Sequence, residues 1–97
     1  MTEDELQSRV MDTAKLMGWR RVHFRPAQQR GRWVTAYTGD DGFPDLVLAR
    51  GGQVLLAELK AEDGRFRPGQ REWLEAAGDN GKLWRPSNWN EILEVLK

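Results

Sequence analysis

Asp45-Leu46-Val47-Leu48-Ala49, then Arg50, Gly51-Gly52, and Gln53-Val54-Leu55-Leu56-Ala57-Glu58-Leu59-Lys60 form the stretch that decides the fold. Two β-prone runs flank a glycine pair, the composition of a tight hairpin turn. The first run, Asp45–Ala49, reads as one strand. The second, Gln53–Lys60, is apolar on both faces until its end, as expected of a strand in the interior of a sheet. Side chains alternate faces along a strand, so Glu58 and Lys60 point one way and Leu59 the other. Because the chain folds back at Gly51-Gly52, Asp45 returns to the Glu58–Lys60 end. Two carboxylates and an ammonium therefore converge at one edge of an otherwise apolar sheet.

Charges beside a core are costly unless they are paired or used. Two close carboxylates repel, and one takes up a proton unless a cation intervenes. A hard divalent ion answers this conflict. Mg²⁺ prefers oxygen ligands, keeps several waters and needs only one or two carboxylates. Asp45, Glu58 and the Leu59 backbone carbonyl are the candidate ligands. Such an ion acidifies water and screens a phosphodiester. Lys60, a compact point charge, is placed to orient the water or to stabilise charge developing on phosphate.

Outward from the hairpin, Thr2-Glu3-Asp4-Glu5 has the form of a capping box that opens a helix. Leu6, Val10, Ala14 and Met17 would lie on its apolar face, and Gly18 would end it. Arg21–Arg25 alternates polar and apolar residues as a first strand, stopped by Pro26. Ala27–Phe43 reads as a long connection with room for a short strand near Trp33–Ala36. Pro68 suits the first turn of a helix running through Gln70, Trp73, Leu74 and Ala77 to Gly78. Lys82–Arg85 is a last strand stopped by Pro86, and Ser87 would cap a final helix with Trp89, Ile92, Leu93 and Leu96 on its apolar side. The expected class is α/β, in the order α-β-β-β-α-β-α.

At 97 residues, the whole chain, residues 1–97, is expected to form a single domain. With no cysteine, disulfides, thiolate catalysis and zinc–cysteine sites are excluded. No apolar run is long enough for a membrane span, and the acidic, polar start does not resemble a signal peptide, so a cytoplasmic location is expected. Fifteen basic and fifteen acidic residues balance, so bulk charge does not announce nucleic acid. The distribution says more: Arg20, Arg21, Arg25, Arg30 and Arg32 form one group, and Arg65, Arg67 and Arg71 another. Arg30, Arg32, Arg65 and Arg67 are the candidate phosphate contacts. Trp33 and Tyr37, in the long connection, are candidates for stacking on an unpaired base. Trp73, Trp84 and Trp89 are assigned to the core. His23 is a candidate general base, although a single strand histidine more often simply packs.

Pro44-Asp45…Glu58-Leu59-Lys60 resembles the signature of the PD-(D/E)XK nucleases. The flanking residues are similar to the VRR-NUC branch of that superfamily: Glu3…Leu6-Gln7, Gly18-Trp19, Gly42-Phe43-Pro44-Asp45-Leu46 and Gln70…Trp73-Leu74. The resemblance spans about residues 2–85. It implies a restriction-endonuclease-like core, a mixed four-stranded sheet flanked by helices. It implies Mg²⁺- or Mn²⁺-dependent phosphodiester hydrolysis, on branched, flapped or four-way-junction DNA in replication, repair or recombination. Stand-alone relatives resemble Holliday-junction resolvases, and free-standing ones are common in phages. A homodimer is therefore expected, in a bacterial cell or phage-infected host. Carried over, Asp45 and Glu58 are metal ligands, Lys60 is the catalytic lysine and Gln70 lies near the site. The helix-one acid falls best on Glu3, with Glu5, which also has a place in the capping box, as its competitor; Gln7 shares the face of Glu3 and is a candidate to line the site and contact DNA. Arg67-Pro68-Gly69 departs from the smaller polar cap that many members carry, so the resemblance does not imply a side-chain cap before Gln70. A DNA-binding module that keeps the fold without cutting is the competing reading, and the presence of all three of Asp45, Glu58 and Lys60 argues against it.

Overall fold

Leu46, Leu48, Leu55, Ala57 and Leu59 alternate along the hairpin and are fully or almost fully buried. This single apolar face organises the architecture. The computed structural model describes residues 1–24, 27–34 and 37–97, with 27–29 and 32–34 as backbone only. The elements run α1 (Glu3–Leu16), β1 (Arg20–His23), β2 (Ala27–Gln29), β3 (Arg32–Val34), β4 (Leu46–Arg50), β5 (Gln53–Leu59), α2 (Gln70–Ala77), β6 (Gly81–Trp84) and α3 (Trp89–Leu96). Four strands make a mixed sheet in the order β1-β4-β5-β6. β1–β4 and β4–β5 are antiparallel, whereas β5–β6 is parallel and joined through α2. The interior place expected for the Gln53–Lys60 strand is the one β5 occupies.

Helices cover both faces. Leu6, Val10 and Ala14 of α1 and Ile92 and Leu96 of α3 close over the buried strand face together with Trp19 and Trp84. α2 packs against β5 and β6. The capping box of α1 is present in full, with Glu5 N–H donating to Thr2 Oγ1 and Thr2 N–H to Glu5 Oε1. That contact holds the Glu5 carboxyl below its usual range.

Several expectations need correction. Met17 is the C-cap of α1 and is exposed, because the apolar stripe ends at Ala14. Pro68 precedes α2, which begins at Gln70 behind a left-handed Gly69 that offers no side-chain cap. Ser87 does not cap α3. Its N–H and hydroxyl both donate to Glu62, and a short 3₁₀ turn, Pro86–Asn88, leads into the helix. Trp73 is only half-buried and lies on the far side of the sheet from the core. The long connection holds a two-stranded hairpin, β2–β3, turned by Arg30 and Gly31 at φ 52° and 76°. Positive φ at both turn residues is the primed geometry that matches strand twist. Arg25, Pro26, Thr35 and Ala36, which carried the expected strand ends, lie outside the described residues, as do the side chains of Arg32 and Trp33. Ile92 and Leu96 of α3 are fully buried within this chain. Among the described residues, no helix is long and apolar enough to cross a membrane.

Arg50 locks the end of the sheet opposite the hairpin's charged edge. Its guanidinium lies 4.3 Å from the Trp19 ring centroid. It donates to the carbonyls of Met17 (2.8 Å), Leu96 (3.0 Å) and Lys97 (2.7 Å). Trp19 Nε1 adds a bond to Leu96 O at 2.9 Å. A cation thus satisfies carbonyls at the C-termini of both core helices, where the helix dipole is negative. Arg50→Ala is expected to destabilise the fold by about 2 kcal/mol and to lower Tm by roughly 10 °C in thermal denaturation. Arg50→Lys should recover only part of this, since an ammonium cannot reproduce the fork.

Candidate active site

The register places the chemistry. Leu46 faces Ala57, so the next pair outward is Asp45 and Glu58. At this point the strand ladder ends, and side chains take over its hydrogen bonds. Asp45 N–H donates to Glu58 Oε1 (3.2 Å), and Leu59 N–H donates to Asp45 Oδ2 (2.9 Å). Each strand's carboxylate accepts the other strand's free amide. Both side chains lie on the sheet face opposite the core, the face covered by α2.

Gln70, the first residue of α2, reaches down onto this pair. Its Nε2 donates to Glu58 Oε2 at 2.7 Å, while its Oε1 accepts the Arg67 N–H at 2.8 Å. The two bonds fix which end of the amide faces the carboxylate. Lys60 Nζ stands 3.4 Å from the same Glu58 oxygen. Glu58 and Lys60 are only 2% and 7% exposed, the buried charged pair of the described residues. Lys60 N–H donates to Trp84 O, so β5 stays tied to β6 up to the lysine. Beyond it, Arg85 Nη1 donates to the carbonyls of Ala61, Glu62 and Gly64, fastening the following loop.

Burial pushes the Glu58 carboxyl up, the nearby Asp45 charge pushes it further, and Lys60 offsets only part of this, leaving its pKa at about 7. Two hard carboxylates are therefore held together with more negative charge than the site neutralises. The Leu59 N–H points toward Asp45, and the N–H and C=O of one strand residue share a side, so the Leu59 carbonyl also faces Asp45. Among the described residues, Asp45 Oδ1 has no hydrogen-bond partner, and no cluster of three or more His, Cys, Asp and Glu exists. The donor set is two carboxylates plus a carbonyl, which fits a hard cation that keeps much of its water.

The remaining candidates are placed differently. Glu3 is exposed and makes no hydrogen bond to Asp45, Glu58 or Lys60. Gln7 Nε2 donates to His23 Nδ1 at 3.2 Å. His23 faces Leu46, so this pair belongs to the α1 side of the sheet, across from the carboxylates. Arg65 and Arg67 are exposed on the segment between Lys60 and α2, and Arg67 lines a groove with Asp45 and Gln70, whereas Arg30 is at the β2–β3 turn. Tyr37 is exposed, and its hydroxyl donates to Asp41, a bond that raises its pKa.

Phe24 and Phe43 were not among the candidate site residues. The Phe43 ring stands edge-to-face against Phe24 (centroids 5.5 Å, 82°) and against Trp73 (4.9 Å, 83°). The adjacency of Phe43 to Pro44-Asp45 was the one available signal. Gly42 and Gly69 bring this loop against the start of α2. Their φ values are 90° and 88°, and a Cβ on either would collide with the backbone of the other segment.

The raised pKa sets a pH dependence. Between about 4.5 and about 7, the folded chain keeps a proton on Glu58 that the unfolded chain has released. Stability is therefore full below that window and falls as pH rises through it. In metal-free buffer, Tm is expected to decline across this range, and Glu58→Gln is expected to flatten the decline and raise Tm above pH 7. Thermal scans against pH check both.

No protein-family model, curated protein or solved structure matches this chain.

Proposed function

We propose that the chain is a Mg²⁺- or Mn²⁺-dependent endodeoxyribonuclease of the PD-(D/E)XK type. The carrying observation is the buried Glu58 carboxylate, paired with Asp45 and faced by Lys60 and Gln70 at the end of the β4–β5 ladder. A protein with only structural needs would gain stability by discharging Glu58. Keeping a destabilising carboxylate pair is the usual cost of a working site.

Asp45 and Glu58 would hold the ion, with the Leu59 carbonyl as a third donor. The bound ion supplies Lewis acidity, acidifying water and neutralising phosphate charge. The chain's own residues do the rest. Lys60, just past the end of β5 and largely buried, would present a positive charge where phosphate oxygens gain negative charge. Gln70 holds Glu58 Oε2 by donating to it and so keeps the carboxylate oriented. Arg65 and Arg67 offer phosphate contacts beside the site. DNA as substrate, a preference for branched, flapped or four-way-junction forms, and a homodimer follow from the resemblance to VRR-NUC nucleases. A cytoplasmic role in replication, repair or recombination would follow with them.

Asp45→Ala, Glu58→Ala and Lys60→Ala are each expected to lower Mg²⁺-dependent cleavage of labelled flapped or junction DNA by at least about 100-fold. Circular dichroism should show the fold retained, and EDTA should stop the native chain. A variant of any of these three residues that cuts at the native rate overturns the mechanism. Gln70→Ala should cost less, about 10- to 100-fold, because it acts through Glu58.

A further inference from the structure

A groove of about 700 Å³ opens beside the carboxylate pair, and Asp45 and Gln70 line both. Its other wall is aromatic: Phe24, Phe43 and Tyr37 are 46%, 40% and 58% exposed, and Trp73 completes the ladder. We infer that this groove is a subsite for one unpaired nucleobase of the substrate strand, adjacent to the phosphate that would be cut. The inference rests on the nuclease reading and deepens it, assigning one unpaired nucleotide of such a substrate a place in the fold.

Three observations support a base as the occupant. The first is continuity: a strand whose phosphate sits at Asp45 and Glu58 must place a neighbouring nucleotide in whatever adjoins Asp45. The second is surface chemistry. Each edge-to-face contact engages only one face of one ring, so aromatic surface remains for a further planar group, and base–aromatic stacking tolerates any base. Trp73 Nε1 donates to Asp40 O at 3.2 Å, which ties its ring to the loop that carries Phe43. The third is charge. Arg67 stands on the rim for the backbone, while Asp40 in the wall can accept from base N–H groups but would repel a phosphate. In an intact duplex the base faces are already stacked, so only an unpaired nucleotide can use the groove. A second copy of the chain is a poorer occupant, because covering the groove would bury Asp45 and Arg67 without partners.

The test is binding of the full-length chain, in EDTA, to three labelled DNAs: a blunt duplex, a flapped duplex, and the same flap with abasic sites at the unpaired nucleotides nearest the junction. The native chain is expected to bind the flap best. Phe43→Ala and the abasic substitution are each expected to weaken flap binding by about 5- to 100-fold, not to add to one another, and to leave blunt-duplex binding little changed. Phe43→Tyr should restore flap binding. If Phe43→Ala does not fold, Phe24→Ala, at a more exposed ring, carries the same comparison. Equal binding of normal and abasic flaps overturns the subsite. So does a Phe43→Ala variant that changes sedimentation from dimer to monomer while binding the flap normally. The nuclease reading fails separately: base-dependent flap binding without Mg²⁺-dependent cleavage removes the enzyme and keeps the subsite, and cleavage without base dependence does the reverse.

Discussion

The pairing of Asp45 with Glu58 is the constraint on which the site depends. It comes from register: with Leu46 opposite Ala57, the next residues outward must face each other. The ladder stops there, and the two backbone amides left at its end are taken by the two carboxylates. The arrangement is self-supporting in its hydrogen bonds and unbalanced in its charge. Hydrogen bonding from Asp45 N–H and the proximity of Lys60 lower the Glu58 pKa, but burial and the Asp45 charge outweigh them. A one-residue slip in the hairpin would send Glu58 into the apolar core and Leu59 out. The row of leucines that builds the core is therefore also what fixes the charged edge.

Supporting parts divide by sheet face. On the core face, α1 and α3 are tied together by Arg50, Trp19 and the apolar cluster, on the side of the sheet away from the carboxylates. On the other face, α2 contributes no fully buried residue. Its attachment near the site relies on close backbone approach at Gly42 and Gly69 and on polar contacts from Gln70 and Trp73. Stability is thus concentrated on one side of the sheet and the proposed chemistry on the other. This separation lets a charge conflict persist at Glu58 without undoing the fold.

The hairpin, the sheet's interior strand and the Asp45–Glu58–Lys60 convergence were legible because strand periodicity is short-range and the turn is signalled by two glycines. The capping box was legible for the same reason, all four of its residues being local. Features built by long-range contact were not. Nothing in the spacing of Phe24 and Phe43 says that they touch; they meet because β1 lies beside β4. Trp73 reads as core by composition, yet α2 carries it to a groove. Ser87 reads as a cap, but Glu62, brought near by the loop after β5, takes its hydrogen bonds. Pro68 suggests a helix start, but the left-handed Gly69 delays it to Gln70. Gln70 itself was legible only through family resemblance, since a glutamine at a helix start says nothing about which carboxylate it will meet.

Gln70 and Trp73 are one turn apart on a single short helix, and this links the two halves of the proposed site. Gln70 bonds the carboxylate that would hold the ion, and Trp73 forms the groove wall beside it. Because α2 lacks fully buried side chains to hold it rigidly, the strength of the Gln70–Glu58 contact bears directly on where Trp73 stands. An ionised Glu58 is a stronger acceptor for the Gln70 amide than a protonated one. The carboxylates and the aromatic wall are thus joined through one short helix, and Gln70 is the side chain that ties it to Glu58.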